Sequence, residues 1–160
     1  MRKYLFLLFF SMLSVNIYAA SSPNSKEAVL KSKVYKSPTC GCCGKWIDHM
    51  KQAGFEFEVI ETQNLSPIKS ANGIKNKYES CHTAMIGGYV FEGHIPASIV
   101  KRFLKESPKD SIGLAVPAMP IGSPGMEVGD RHDPYDVLLL KHDGTATVYE
   151  HIGLPITEKK

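Results

Sequence analysis

The sequence predicts an α/β single domain with a mixed sheet, a long Gly/Pro/Met loop and a C-terminal β-hairpin. Three observations lead there. Short strand-like runs alternate with segments whose apolar residues recur at helical spacing. Gly87-Gly88 and Asp143-Gly144 each separate two strand-like runs, as tight hairpin turns do. Residues 107–134 hold Pro117, Pro120, Pro124, Gly122 and Gly125, and fit no regular element.

The elements follow in order. Lys33-Val34-Tyr35-Lys36 reads as a strand that Ser37-Pro38-Thr39 ends. Cys43, Trp46, Ile47 and Met50 give the stripe of a helix over about residues 42–53, with Gly54 just past its end. Phe55, Phe57 and Val59 alternate with Glu56 and Glu58, the period of a half-buried strand, and Ile60 extends it. Ser66-Pro67 opens a short helix reaching Ala71. Residues 81–86 and 89–93 form the first hairpin. Pro96 starts a helix to Lys105 with Ile99, Val100, Phe103 and Leu104 on its apolar face. Residues 135–141 and 145–149 make the last hairpin. Strand, cysteine turn and helix, followed by strand, helix, hairpin and helix, is the layout of a thioredoxin-like domain.

The start of the chain sets the chemical surroundings. Arg2 and Lys3 precede an apolar run from Tyr4 to Phe10, and Tyr18-Ala19-Ala20 leads into polar sequence. That is the pattern of a secretory signal peptide over residues 1–20, the alternative being an uncleaved anchor. Residues 21–32 form a flexible lead-in, and 33–156 the domain. Cleavage removes two cations and lowers the formal charge from +3 to +1. The near-neutral remainder carries no electrostatic footprint for nucleic acid or an anionic membrane, and no membrane span remains after cleavage. About 140 residues suffice to bury a core without disulfides, so the cysteines need another explanation.

Cys40-Gly41-Cys42-Cys43 lies where a strand turns into a helix, and free N–H groups and the helix dipole there favour thiolate. Cys40 and Cys43 have the spacing of a redox pair, but Cys42 intrudes, and a third thiol would scramble disulfide exchange. Three thiolates within four residues make better sense as soft ligands. Cys81 supplies a fourth, because a thioredoxin-like topology brings the hairpin start towards the helix start. Soft sulfur selects copper(I), zinc or iron–sulfur clusters. Zinc stays open, although four thiolates alone usually form a closed structural site. An iron–sulfur cluster is less favoured, because clusters are normally assembled in the cytoplasm. Copper is the soft metal that most needs handling outside it, and is favoured. The plain alternative is two structural disulfides.

Met119 and Met126 flank the Gly/Pro segment, where a thioether has no helix face to fill. Such sulfur binds copper without deprotonation, or else plugs a gap. Met50 and Met85 sit at regular positions and read as packing. His94 is the favoured imidazole ligand, because a residue just before a helix projects to the same end of the sheet. His82, beside Cys81, comes next. His132 lies beyond the methionine loop. His49 lies one position off its helix stripe and reads as solvent-facing, and His142 and His151 as structural or solvated. Trp46, the single tryptophan, reads as a cover for the site or a core residue.

Four segments together resemble the CopG family of bacterial copper-resistance proteins, long known only as a domain of unknown function. They are residues 39–46 (TCGCCGKW), 81–84 (CHTA), 93–96 (GHIP) and 113–127 (GLAVPAMPIGSPGME), spread over nearly all of the mature chain. The resemblance implies a thioredoxin-like fold, a periplasmic location and a cysteine-bridged copper cluster, holding several Cu(I) ions, that can change oxidation state. It implies Cys40, Cys42, Cys43 and Cys81 as the thiolate set, with His94, Met119 and Met126 as completing ligands. The expected partners are copper ions and a periplasmic copper-handling or electron-transfer protein. Catalysis on copper stays open. The competing reading is a periplasmic thiol–disulfide oxidoreductase using Cys40 and Cys43.

Overall fold

The computed structural model describes residues 32–153, so the export segment 1–20, residues 21–31 of the lead-in and the domain end at 154–156 lie outside the described residues. Helix α1 (Gly41–Gln52) buries Cys43, Trp46, Ile47 and Met50, the stripe read from spacing. It ends as Gly54 takes a positive φ of 91°. Helix α2 (Ser66–Ala71) carries Pro67 in its first turn, and Asn64 Oδ1 accepts from the Ser66 N–H at 3.1 Å. Helix α3 (Ala97–Glu106) buries Ala97, Ile99, Val100 and Phe103, and stops where Ser107 turns left-handed.

Seven strands form one mixed sheet: β1 (Lys33–Lys36), β2 (Glu58–Glu61), β3 (His82–Ile86), β4 (Tyr89–Glu92), β5 (Ser111–Ala115), β6 (Tyr135–Lys141) and β7 (Ala146–Ile152). Their order is β2-β1-β3-β4-β5-β6-β7. β1 runs parallel to β2, and β4 to β5. The remaining neighbours are antiparallel. The mixed α/β class and both hairpins are therefore present, and β5 joins the second hairpin to the main sheet.

Two expectations need correcting. The stretch 107–134 was expected to hold no regular element, yet β5 lies within it, between β4 and β6. Its centre is Gly113, at φ 152°, and a β-carbon there would stand 1.7 Å from the Val90 carbonyl oxygen. Only glycine lets the two backbones approach so closely. The alternation from Phe55 to Val59 also misleads. β2 begins only at Glu58, opposite Lys33, while Phe55 N–H still bonds the Met50 carbonyl of α1. Val59 is 43% exposed because β2 is the sheet edge.

The core has two faces. α1 and α3 pack with Val34, Ala84, Ile86, Phe91, Leu114, Val116 and Val137. A smaller cluster joins Ile74, Val90, Ala115 and Leu140. Phe91 and Val90, like Leu114 and Ala115, are strand neighbours that point to opposite sides, so the clusters cover opposite faces. α2 lies on the Val90 side, because its Lys69 reaches Thr83 and Glu92. Among the described residues no helix is long and apolar enough to cross a membrane.

His49 is not simply solvent-facing. Its Nε2 accepts a hydrogen bond from the Ala97 N–H at 3.1 Å, at a helix start where Pro96 offers no side-chain cap. His49→Ala should lower the unfolding free energy by about 1 kcal/mol, read by urea denaturation.

Candidate metal centre

Sheet register brings the cysteines together. Lys36, the last residue of β1, pairs with His82, the first of β3. The chain therefore leaves β1 towards Cys40 at the place where Cys81 enters β3. Thr83 pairs with Glu92, so β4 finishes at the same end and His94 follows two residues later. β5 runs parallel to β4 and delivers the Pro/Gly loop there too. One end of the sheet thus collects every segment in which the sequence singled out ligands.

Cys40 is the N-cap of α1 and makes no side-chain cap bond. The Cys40 and Cys42 sulfurs are 3.5 Å apart. Cys81 Sγ lies 4.0 Å from Cys42 Sγ and 3.5 Å from Cys43 Sγ. Cys81 Sγ is also 3.0 Å from His94 Nε2 and 3.3 Å from His82 Nδ1. The donor atoms of Cys40, Cys42, Cys43 and Cys81 all lie within 4.8 Å of one another, and so do those of Cys81, His82 and His94. Cys81 belongs to both groups.

Cys40 and Cys43 are joined as a disulfide with Cα atoms 5.4 Å apart, while Cys42 and Cys81 are free thiols. This is one disulfide, not the two of the plain structural reading. It also links the two residues with redox-pair spacing, and it must be reduced before either offers a thiolate.

Both imidazoles are fully buried. Burial, then the neighbouring His94 and Lys69, hold His82 well below its ordinary pKa. Burial also lowers His94, against the Pro124 carbonyl and Glu127. Each is thereby kept neutral, the form that coordinates metal. His94 Nδ1 donates to the Pro124 carbonyl at 2.8 Å, which leaves Nε2 as the lone-pair nitrogen facing Cys81. His82 Nε2 is buried with no hydrogen-bond partner. The Cys81 thiol is pushed up to about 12 by burial and then by Cys42, so a metal ion taken up here must displace its proton. Soft sulfurs beside neutral imidazoles, one of them with an unmatched nitrogen, form a donor set suited to a soft metal.

Trp46 is a core residue, one of its two expected roles. It is fully buried and donates to the Ile95 carbonyl at 2.9 Å, and its ring lies over His82 at 4.4 Å between centroids. The loop reaches the site through Gly125, where a β-carbon would meet the Cys42 carbonyl at 2.7 Å and the Trp46 nitrogen at 2.8 Å. That contact seats Pro124 on His94 and sets half-buried Met126 beside the start of α1. Met119 is 48% exposed; its neighbour Ala118 is tied to Glu79 and Ser80. Met50 is buried in the core, as expected. His132 packs on Gly122, and His151 bonds Asp136 at 2.7 Å. A cleft of about 680 Å³ includes His142, Gly88 and Ser107, but none of the cysteines or imidazoles above.

Sequence reasoning missed the Pro124 carbonyl, which no side-chain pattern marks. It also missed the buried pair Lys69 and Glu92 behind Thr83.

The fold and site define a class: a mixed α/β domain that gathers four cysteine sulfurs and two imidazoles at one end of its sheet. The chain belongs to the CopG copper-resistance family. Two solved structures of copper resistance protein CopG are similar to it. One is 39% identical with a TM-score of 0.72, covering 76% of this chain and 97% of the other. The second is 40% identical with a TM-score of 0.71, covering 76% and 95%. A family model described as a protein of unknown function, DUF411, matches residues 78–126. No curated protein sequence matches the chain.

Proposed function

We propose that this protein binds copper in copper resistance, holding several Cu(I) ions in a cysteine-bridged cluster in the periplasm. The observation that carries the reading is the position of Cys81. Its sulfur stands within reach of three cysteine sulfurs on one side and two neutral imidazoles on the other. A thiolate shared by two donor groups favours more than one ion. Bridging thiolates suit Cu(I) and imidazoles admit Cu(II), which supports interconversion of the two states. Met119 and Met126 complete the ligand set from the loop that Gly125 seats on α1. The order β2-β1-β3-β4, with α1 and α2 before the hairpin and α3 after it, supports a thioredoxin-like core extended by β5–β7. The basic, apolar and small-residue pattern of residues 1–20 supports export.

Titration of the fully reduced protein with Cu(I) tests this. More than one Cu(I) should bind per chain, and binding should collapse in Cys42→Ser/Cys43→Ser. One ion or none, or full binding by that variant, contradicts the proposal.

The Cys40–Cys43 disulfide favours a second reading, a thiol–disulfide oxidoreductase. It predicts turnover of a dithiol substrate without metal, and a Cys42→Ser variant of undiminished activity.

A further inference from the structure

We infer that Lys69, Glu92 and Thr83 are positioning residues of the copper site, fixing the backbone on either side of Cys81 and tying it to the methionine loop. The inference rests on the copper reading above and deepens it.

Lys69 and Glu92 are 3% and 0% exposed and form an ion pair between α2 and β4. The Lys69 ammonium also donates to Thr83 Oγ1 at 3.1 Å. Thr83 Oγ1 in turn donates to Glu92 Oε2 at 2.6 Å. Glu92 Oε1 accepts the Ser80 backbone N–H at 2.6 Å, and the Ser80 hydroxyl donates to the Ala118 carbonyl. The chain of bonds thus runs from α2 to the residue before Cys81, the residue after His82 and the residue before Met119. Glu92 itself stands two residues before His94.

Fold stability alone does not account for such a network. A buried ion pair is costly to desolvate, and apolar residues of similar volume often serve as well or better. What an apolar replacement cannot supply is a set of directional bonds ending on the backbone segments that present the donors. Partners behind the ligands fix their orientation, and their loss weakens metal binding even when the ligands remain.

The test uses the reduced full chain, Cu(I) alone as probe, and competition with a colorimetric Cu(I) chelator. Cu(I)–thiolate luminescence reports the surroundings of the bound ions. Two variants interrupt the network without stranding a charge. Lys69→Met/Glu92→Leu removes the ion pair and the carboxylate that holds the Ser80 N–H. Thr83→Val removes only the hydroxyl that links β3 to that pair. Both should melt close to the unaltered chain yet bind Cu(I) about tenfold or more weakly, with altered luminescence per ion. Thr83→Ser, which keeps the hydroxyl, should restore both readouts. Unaltered affinity and luminescence in the folded variants overturns the inference. If the double variant does not fold, the Thr83 pair decides alone. If the unaltered chain itself binds no Cu(I), the copper reading falls and the inference with it; if it binds while the variants match it, only the inference falls.

Discussion

Cys81→Ser should abolish multinuclear Cu(I) binding and weaken what remains by about a hundredfold or more, a loss of about 3 kcal/mol. The reason is connectivity. Cys40, Cys42 and Cys43 come from one turn, and His82 and His94 from two other strand ends. The Cys81 sulfur alone belongs to both donor groups. Without it, the three remaining sulfurs and the two imidazoles lose the donor that they share. A serine hydroxyl is a hard donor that soft copper(I) does not favour. The fold should survive, because Cys81 precedes β3 and is only half-buried. Chelator competition on the reduced chain, with circular dichroism for the fold, reads both effects. Affinity close to that of the unaltered protein would mean that Cys81 is not a ligand.

Gly113→Ala should cost about 4 kcal/mol or more, among the largest effects of any single substitution here. At φ 152° an L side chain is strained wherever it points. The added carbon would also meet Val90 at 1.7 Å from its oxygen, 2.6 Å from its carbonyl carbon and 2.8 Å from its nitrogen. These are backbone atoms of the paired strand, so no rotamer change relieves the clash. β5 holds β4 on one side and β6 on the other, and displacing it divides the sheet. Gly41→Ala is the matched control. It lies in the first turn of α1 with nothing within 4 Å of its added carbon, and it should change stability by no more than about 1 kcal/mol. Urea denaturation of the two variants measures the contrast, and similar midpoints would refute the close-packing account of β5.

The difference between what could be read early and what could not has physical causes. α1 and α3 were legible because each buries a stripe at helical spacing. The first hairpin was legible because Gly87 and Gly88 both take positive φ, which its turn requires. β5 was hidden because Ser111-Ile112-Gly113-Leu114-Ala115 has weak strand character, with glycine at its centre. Pairing on both sides, a tertiary effect, makes it a strand. Val59 misled because an alternating pattern does not reveal that its strand is an edge.

The site divides in the same way. Cysteine and histidine announce themselves by residue type, and Cys81, His82 and His94 do converge with the Cys40–Cys43 turn. The Cys40–Cys43 bond was visible only as a spacing. Lys69 could not be found, because a lysine in a short helix reads as a solvated side chain. Its partner Glu92 is 23 residues away, at a strand end. Pro124 acts through its carbonyl, which every residue possesses.

A crystal structure of the copper-loaded protein, with copper located by anomalous scattering, should show at least two copper peaks at the end of the sheet, bounded by the Cys40, Cys42, Cys43 and Cys81 sulfurs and the His94 imidazole, with the Cys40–Cys43 bond opened. Copper bound elsewhere, or an intact Cys40–Cys43 disulfide in fully loaded crystals, would contradict a cysteine-bridged copper cluster at this site.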